Sequence, residues 1–217
     1  MKDLVNAFLL IYAGLFPIVN PVGGAPLFLA ATRRCTQRER SSLARRVAVN
    51  SFFLLLGSLF IGSHVLEFFG ITLPVVRIAG GLVVSAFGWT LLRSGGVLEG
   101  AHIADPAHPP VAPTDSFYPL TMPLTVGPGS ISVAITLGSQ RPKTPHSLVH
   151  LALLLGAAVV GLAAIAATVF LCYRFADRLG ALLGERGINV LMQLSAFIML
   201  CIGIQIIWSG YSALIAR

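Results

Sequence analysis

The chain has 217 residues, of which 56% are hydrophobic and only 11% charged, with a mean hydropathy of +0.85. A soluble domain carries about 25% charged residues, so this composition excludes an ordinary soluble globule, a disordered chain and a disulfide scaffold. The formal charge of +7 would suggest nucleic acid in a soluble protein, but in a membrane chain it points to basic loops on one face.

Apolar runs matched to the hydrocarbon thickness predict an all-α polytopic membrane protein with six spans: Leu4 to Thr32, Leu43 to Phe69, Leu73 to Leu92, Phe117 to Ser139, Leu148 to Tyr173 and Ile188 to Ile215. The first run is expected to be retained and not cleaved as a signal peptide. Asp3 offsets the basic Lys2, and Pro26 follows the small cluster Gly23-Gly24-Ala25, where cleavage would have to occur. Between the third and fourth spans, residues 93–116 hold Pro106, Pro109, Pro110 and Pro113 with several polar residues, and read as a cytoplasmic proline-rich linker. The expected organisation is a first three-helix repeat (1–92), this linker (93–116) and a second three-helix repeat (117–217).

With the N-terminus outside, the inner loops hold Arg33, Arg34, Arg38, Arg40, Arg45, Arg46, Arg93, Arg174, Arg178 and Arg186. The outer side then holds Lys2, Arg77, Arg141, Lys143 and Arg217. This split favours both termini in the periplasm of a bacterial inner membrane. The arginines from 33 to 46 lack interleaved aromatics for base stacking, so they read as a topology determinant attracted to anionic lipid, and no nucleic-acid partner is expected.

The prolines carry a repeat. At a constant offset of 102 residues (118 − 16 and 128 − 26), Phe16-Pro17-x-x-x-Pro21-x-x-x-x-Pro26 aligns with Tyr118-Pro119-x-x-x-Pro123-x-x-x-x-Pro128, with Gly23 and Gly24 in one copy and Gly127 and Gly129 in the other. An odd number of spans per half makes the second half insert upside down. The expectation is therefore a 3+3 inverted repeat with discontinuous first and fourth helices, a pattern that marks binding sites in secondary transporters.

A proline inside a helix gives no N–H and frees the carbonyl four residues earlier, which in hydrocarbon must face protein, water or ligand. Pro26 and Pro128 suit the first position of a new helix, whose free amides attract an anionic group. A zwitterion fits such a site. Its carboxylate would sit at the amides of Gly23 to Ala25 or Gly127 to Ser130, and its ammonium at freed carbonyls and Asn20. The candidate substrate-binding residues are Asn20, Pro21, Gly23, Gly24, Ala25, Thr121, Thr125, Gly127, Gly129 and Ser130, with Ser132 as a further hydroxyl. The competing reading is that the prolines only kink helices and the glycines only allow close packing.

No acidic residue falls at an expected midplane, so any coupling to Na⁺ or H⁺ would use backbone carbonyls, hydroxyls or a histidine. Glu67 and Arg77 flank the short turn between spans two and three, where they pair or snorkel unless Arg77 reaches inward to substrate. Gln193, Gln205, Asn50 and Ser85 are expected to face the bundle interior. His146 and His150 have helical ligand spacing but no third ligand, and Cys35, Cys172 and Cys201 are scattered, so no metal site or cofactor is expected. HExxH, GxSxG and Walker A patterns are absent, and no enzyme is expected.

Asn20-Pro21-Val22-Gly23-Gly24-Ala25-Pro26-Leu27-Phe28, Phe69-Gly70-Ile71 followed by Arg77-Ile78-Ala79-Gly80-Gly81, and Pro119-Leu120-Thr121-Met122-Pro123 with Gly127-Pro128-Gly129 together resemble the MarC family (UPF0056) of six-span bacterial inner-membrane proteins, over essentially the whole chain. That family is similar to, and classified with, neutral amino acid transporters, with some members implicated in glycine or alanine uptake. Members often carry Asn where this chain has Gly24, and a basic residue near Gln193. The resemblance implies a secondary transporter of small neutral amino acids such as glycine, alanine or serine. The alternatives are an exporter or exchanger of another small metabolite or drug, or a non-transporting membrane scaffold. The expected partners are membrane lipid and a small zwitterionic substrate, with a homo-oligomer left open.

Overall fold

The structure is a computed structural model that describes residues 2–93, 115–139 and 148–215. The expected linker lies almost wholly outside the described residues, as does His146. The described chain is helical: α1 (Lys2–Val19), α2 (Pro21–Ala31), α3 (Gln37–Phe68), α4 (Leu73–Arg93), a loosely wound segment Ser116–Thr125, α5 (Pro128–Ser139), α6 (Leu148–Arg174) and α7 (Ala176–Ile215). Helix α3, helix α4, the 153–174 stretch of α6 and the 186–215 stretch of α7 are each long and apolar enough to cross a bilayer. The pair α1 and α2, bent by 40°, and the pair Ser116–Thr125 and α5, bent by 71°, bring the number to six if each pair is one span. Every expected span is thus occupied by a helix or a bent pair.

The boundaries follow from local chemistry. Pro21 cannot continue α1, and the chain turns at Asn20, whose φ of 45° and ψ of 61° are left-handed. Helix α3 starts with a capping box: Thr36 Oγ1 accepts from the Glu39 amide, and Glu39 accepts from the Thr36 amide at 2.8 Å. A left-handed Gly184 (φ 63°) bends α7 ahead of its membrane stretch.

Packing places α4 along α7, α3 against α5 and α6, and α1 against α6. The α4–α7 seam is made by glycines seven residues apart on each helix: Gly81 faces Gly203, Gly88 meets Ala196 and Leu200, and Gly210 meets Pro74 and Ile78. A Cβ on Gly81 would lie 2.7 Å from the Gly203 carbonyl oxygen, and one on Gly88 2.9 Å from that of Ala196, so the two backbones are nearly in contact. This seam corrects one expectation: with small residues occupying the inward face of α7, Gln193 and Gln205 are turned outward and exposed. Asn50, by contrast, reaches from α3 to the hydroxyls of Ser116 and Thr121 at 3.3 and 3.4 Å. Arg77 does not pair with Glu67; its Nε donates to Thr136 Oγ1 on α5 at 3.3 Å.

At the arginine-rich end, Arg40 of α3 donates through Nη1 to both carboxylate oxygens of Asp177 at 2.5 Å, and through Nη2 to the carbonyl of Thr32, the residue that closes α2, at 3.1 Å. One guanidinium therefore joins α2, α3 and α7. Its fork suits a carboxylate and a helix C-terminus together.

The seam yields a signed prediction. Gly203→Ala should lose about 1–3 kcal/mol by forcing α4 and α7 apart. Gly57→Ala, where an added Cβ meets nothing within 4 Å, should gain roughly 0.5–1 kcal/mol from reduced backbone freedom. Unfolding of the purified variants in detergent checks both; equal effects would mean that the seam does not limit packing.

Candidate functional site

The two bends meet at one cavity of about 90 Å³. On one side are the end of α1 and the start of α2, with Ile18, Val19, Asn20, Gly23 and Gly24; on the other are Thr125, Gly127, Gly129 and Ser130. Apolar side chains of α4 and α7, among them Val84, Phe87, Met192 and Met199, line the remainder together with Ser195. Of the sequence-predicted residues, Asn20, Gly23, Gly24, Thr125, Gly127, Gly129 and Ser130 line this cavity. Pro21, Ala25 and Thr121 are buried nearby but do not line it. Pro21 opens α2, Ala25 packs in the main core, and Thr121 Oγ1 donates to the Ser116 carbonyl at 2.7 Å.

The first bend is tight and largely self-satisfied. Asn20 Oδ1 accepts from the Gly23 amide at 3.1 Å and its carbonyl accepts from the Gly24 amide at 2.9 Å. Two amides expected to await a carboxylate are therefore already capped. The new helix also begins at Pro21 and not at Pro26, which lies inside α2. What the first bend leaves open is its acceptor side: among the described residues, no hydrogen bond reaches the carbonyls of Ile18 and Val19 at the end of α1.

The second bend is wide. The peptide bonds Tyr118-Pro119 and Met122-Pro123 are cis, and the segment is held by five-residue links such as the Val126 amide to the Thr121 carbonyl, 2.8 Å. Helix α5 then starts at Pro128, which has no N–H, and the next amides, of Gly129 and Ser130, have no hydrogen-bond partner among the described residues. Both residues are buried, Ser130 with 2% of its surface exposed. The Ser130 hydroxyl donates to the Gly127 carbonyl at 2.9 Å. The cavity thus meets the negative end of α1 and the positive end of α5.

Tyr173, near the end of α6, ties the two bends together and escaped the sequence reading, which took it only as the limit of the fifth span. Its ring is fully buried and stacks on Phe28 of α2 at 4.5 Å. Its hydroxyl bonds Thr125 Oγ1 at 2.9 Å, and that threonine donates to the Leu120 carbonyl at 2.7 Å. The same hydroxyl lies 2.6 Å from where a Cβ on Gly24 would be. Ser195, which abuts Gly23 and lines the cavity, is not among the residues that the sequence marks as candidates.

Comparison with known proteins bears on this arrangement. The profile of the "MarC family integral membrane protein" group matches residues 5–215. The chain belongs to the MarC family. Its similarity to the UPF0056 membrane protein YvbG of Bacillus subtilis is 27% identity, covering 92% of each chain. For the UPF0056 inner membrane protein MarC of Salmonella typhimurium it is 29%, covering 97% of this chain and 96% of that one. For YhcE of Escherichia coli it is 29%, covering 92% and 89%. No solved structure matches. Family and apolar helices together make this a multi-pass integral protein of the inner membrane.

Gly24→Ala should destabilise by about 1–3 kcal/mol through the clash with the Tyr173 hydroxyl. Tyr173→Phe should cost about 1 kcal/mol for the lost bond. In the double variant the next nearest ring atoms are 3.4 Å from the new methyl, so its loss should be smaller than the sum of the two. Additive losses in a double-mutant unfolding cycle would separate Gly24 from Tyr173.

Proposed function

We propose that the chain is a secondary transporter moving a small neutral amino acid, of the size of glycine, alanine or serine, across the inner membrane by alternating access. One observation carries this: free amides at the start of α5 and open carbonyls at the end of α1 border the same cavity. A carboxylate finds N–H donors and a dipole's positive end at Gly129 and Ser130, with the Asn20 amide in reach of the same space. An ammonium finds acceptors at Ile18 and Val19. The apolar wall suits a short aliphatic side chain or none. A cavity of about 90 Å³ exceeds several-fold the roughly 10–15 Å³ needed for a water, yet is smaller than the roughly 150 Å³ that takes benzene. That size favours a small solute over a drug.

The inverted repeat is part of the proposal. It is supported by two bent helices at matching places in the chain and by reciprocal packing: α1 lies on α6, α5 lies on α3, and α4 and α7 face each other. The arginine-rich face is assigned to the cytoplasm, with both termini outside. No Asp or Glu among the described residues lines the cavity, so coupling to Na⁺ would draw on carbonyls and hydroxyls. The absence of catalytic motifs supports a role without enzyme chemistry.

Protein reconstituted in liposomes preloaded with unlabelled alanine should accumulate labelled alanine by counterflow. Asn20→Gly keeps the left-handed turn and costs the cap only a few tenths of a kcal/mol, but removes the side-chain amide, and should cut uptake at least tenfold with little loss of stability. Absence of counterflow for alanine, glycine and serine under both Na⁺ and proton gradients would overturn the proposal.

A further inference from the structure

Away from the cavity, the arginine-rich end holds a second concavity, of about 500 Å³, where the start of α3, the end of α6 and the start of α7 converge. Arg38, Arg40, Arg174 and Arg178 line it with a single acid, Asp177. That acid is already engaged by both of its oxygens with Arg40. Glu39, one residue from Arg38, is folded back onto Thr36 and does not line the space. Among the described residues no carboxylate lies within ion-pair distance of Arg38, Arg174 or Arg178, so within the described structure the concavity presents three guanidinium groups without a carboxylate partner.

The way these arginines are held matters. Arg174 lies over the Phe170 ring at 5.6 Å and Arg178 over the Phe175 ring at 5.2 Å. Stacking fixes a guanidinium plane without using its N–H donors, which stay available for a bidentate bond to phosphate oxygens. The neighbouring surface is apolar: Phe175, which lines the concavity just past the end of α6, is 40% exposed, and Leu171, one turn earlier on that membrane-spanning helix, is 51% exposed. A free anion has no use for that flank. An anion carrying an acyl chain does.

We propose that this concavity binds the phosphodiester headgroup of an anionic phospholipid, with Arg38, Arg174 and Arg178 on the phosphate and the acyl chain descending over Leu171 and Phe175. Basic pockets between helices at a membrane surface suit such headgroups. The shared chemistry is a phosphate oxyanion, and the apolar flank assigns it to lipid and not to free phosphate. Because the Arg40–Asp177 pair forms one wall, a bound headgroup would also brace the junction of α2, α3 and α7.

The full chain, purified in detergent with phosphatidylcholine, is titrated with dioleoylphosphatidylglycerol or diphosphatidylglycerol and followed by Tm and native mass spectrometry. Either anionic lipid should raise Tm and remain bound under conditions that strip phosphatidylcholine. Arg174→Gln with Arg178→Gln should weaken anionic-lipid binding at least tenfold. Arg45→Gln with Arg46→Gln, the same loss of charge on exposed residues of α3 outside the concavity, should change it less than twofold. Should the first pair fail to fold, Arg38→Gln alone is expected to weaken binding at least threefold. Equal losses in the two double variants would reduce the effect to diffuse attraction and overturn the site. A rise in Tm with inorganic phosphate as large as with lipid would assign the site to a free anion and overturn the lipid reading.

Discussion

In hydrocarbon every peptide N–H and C=O must find a partner, and a chain that interrupts two of its helices creates a surplus of groups without one. The rest of this structure is arranged around that surplus. Asn20 absorbs part of it by capping the Gly23 amide with its side chain and the Gly24 amide with its carbonyl. Thr121, Thr125 and Ser130 absorb more by donating hydroxyls to the carbonyls of Ser116, Leu120 and Gly127. Tyr173 closes the account from a third helix by bonding Thr125. Among the groups that no side chain reaches, the amides of Gly129 and Ser130 and the carbonyls of Ile18 and Val19 belong to residues that line one cavity.

The two breaks resemble each other in sequence and differ in function. The first is a one-residue turn of 40° in which Asn20 caps the Gly23 and Gly24 amides, so what it presents to the cavity is chiefly acceptors. The second turns through 71° over a longer irregular segment and leaves the amides of α5 open, so it offers donors. Two copies of one proline pattern thus give opposite polarity at a shared cavity. Under the proposed function that polarity matters: two breaks capped alike would suit an anion or a cation, but not a molecule bearing both charges.

The spans were legible because hydropathy over about 20 residues is set by the bilayer and does not depend on tertiary detail. The location of both breaks was legible because proline and glycine constrain the backbone directly. What remained hidden depends on rotation about a helix axis. Proline marks where a helix cannot continue, but the left-handed residue that turns the chain is Asn20, and that moved the start of α2 from Pro26 to Pro21. The side chains of Gln193 and Gln205 were assigned inward by polarity alone. The seven-residue spacing of Gly81 with Gly88 and of Gly203 with Gly210 was in the sequence and orients α7 the other way. Tyr173 stood at the polar end of an apolar run, where an aromatic ordinarily marks the interface. Only the crossing of α6 behind both breaks makes it a buried link between them.

Alternating access requires one part that moves against another that does not, and under the proposed function the contacts divide accordingly. Helices α4 and α7 pack closely through four glycines, at each of which even a methyl group would come within 3.0 Å of the other helix. They form the stiff element. The breaks are joined to one another by a different kind of contact, a buried hydrogen bond from Tyr173 to Thr125 and the ring stack of Tyr173 on Phe28. A hydrogen bond and a stacked ring can exchange partners at modest cost, whereas an interdigitated backbone seam cannot. Motion is therefore directed to α2, α5 and α6 around the cavity, with the Arg40 guanidinium holding the far end of α2 to α3 and α7 as a fixed pivot.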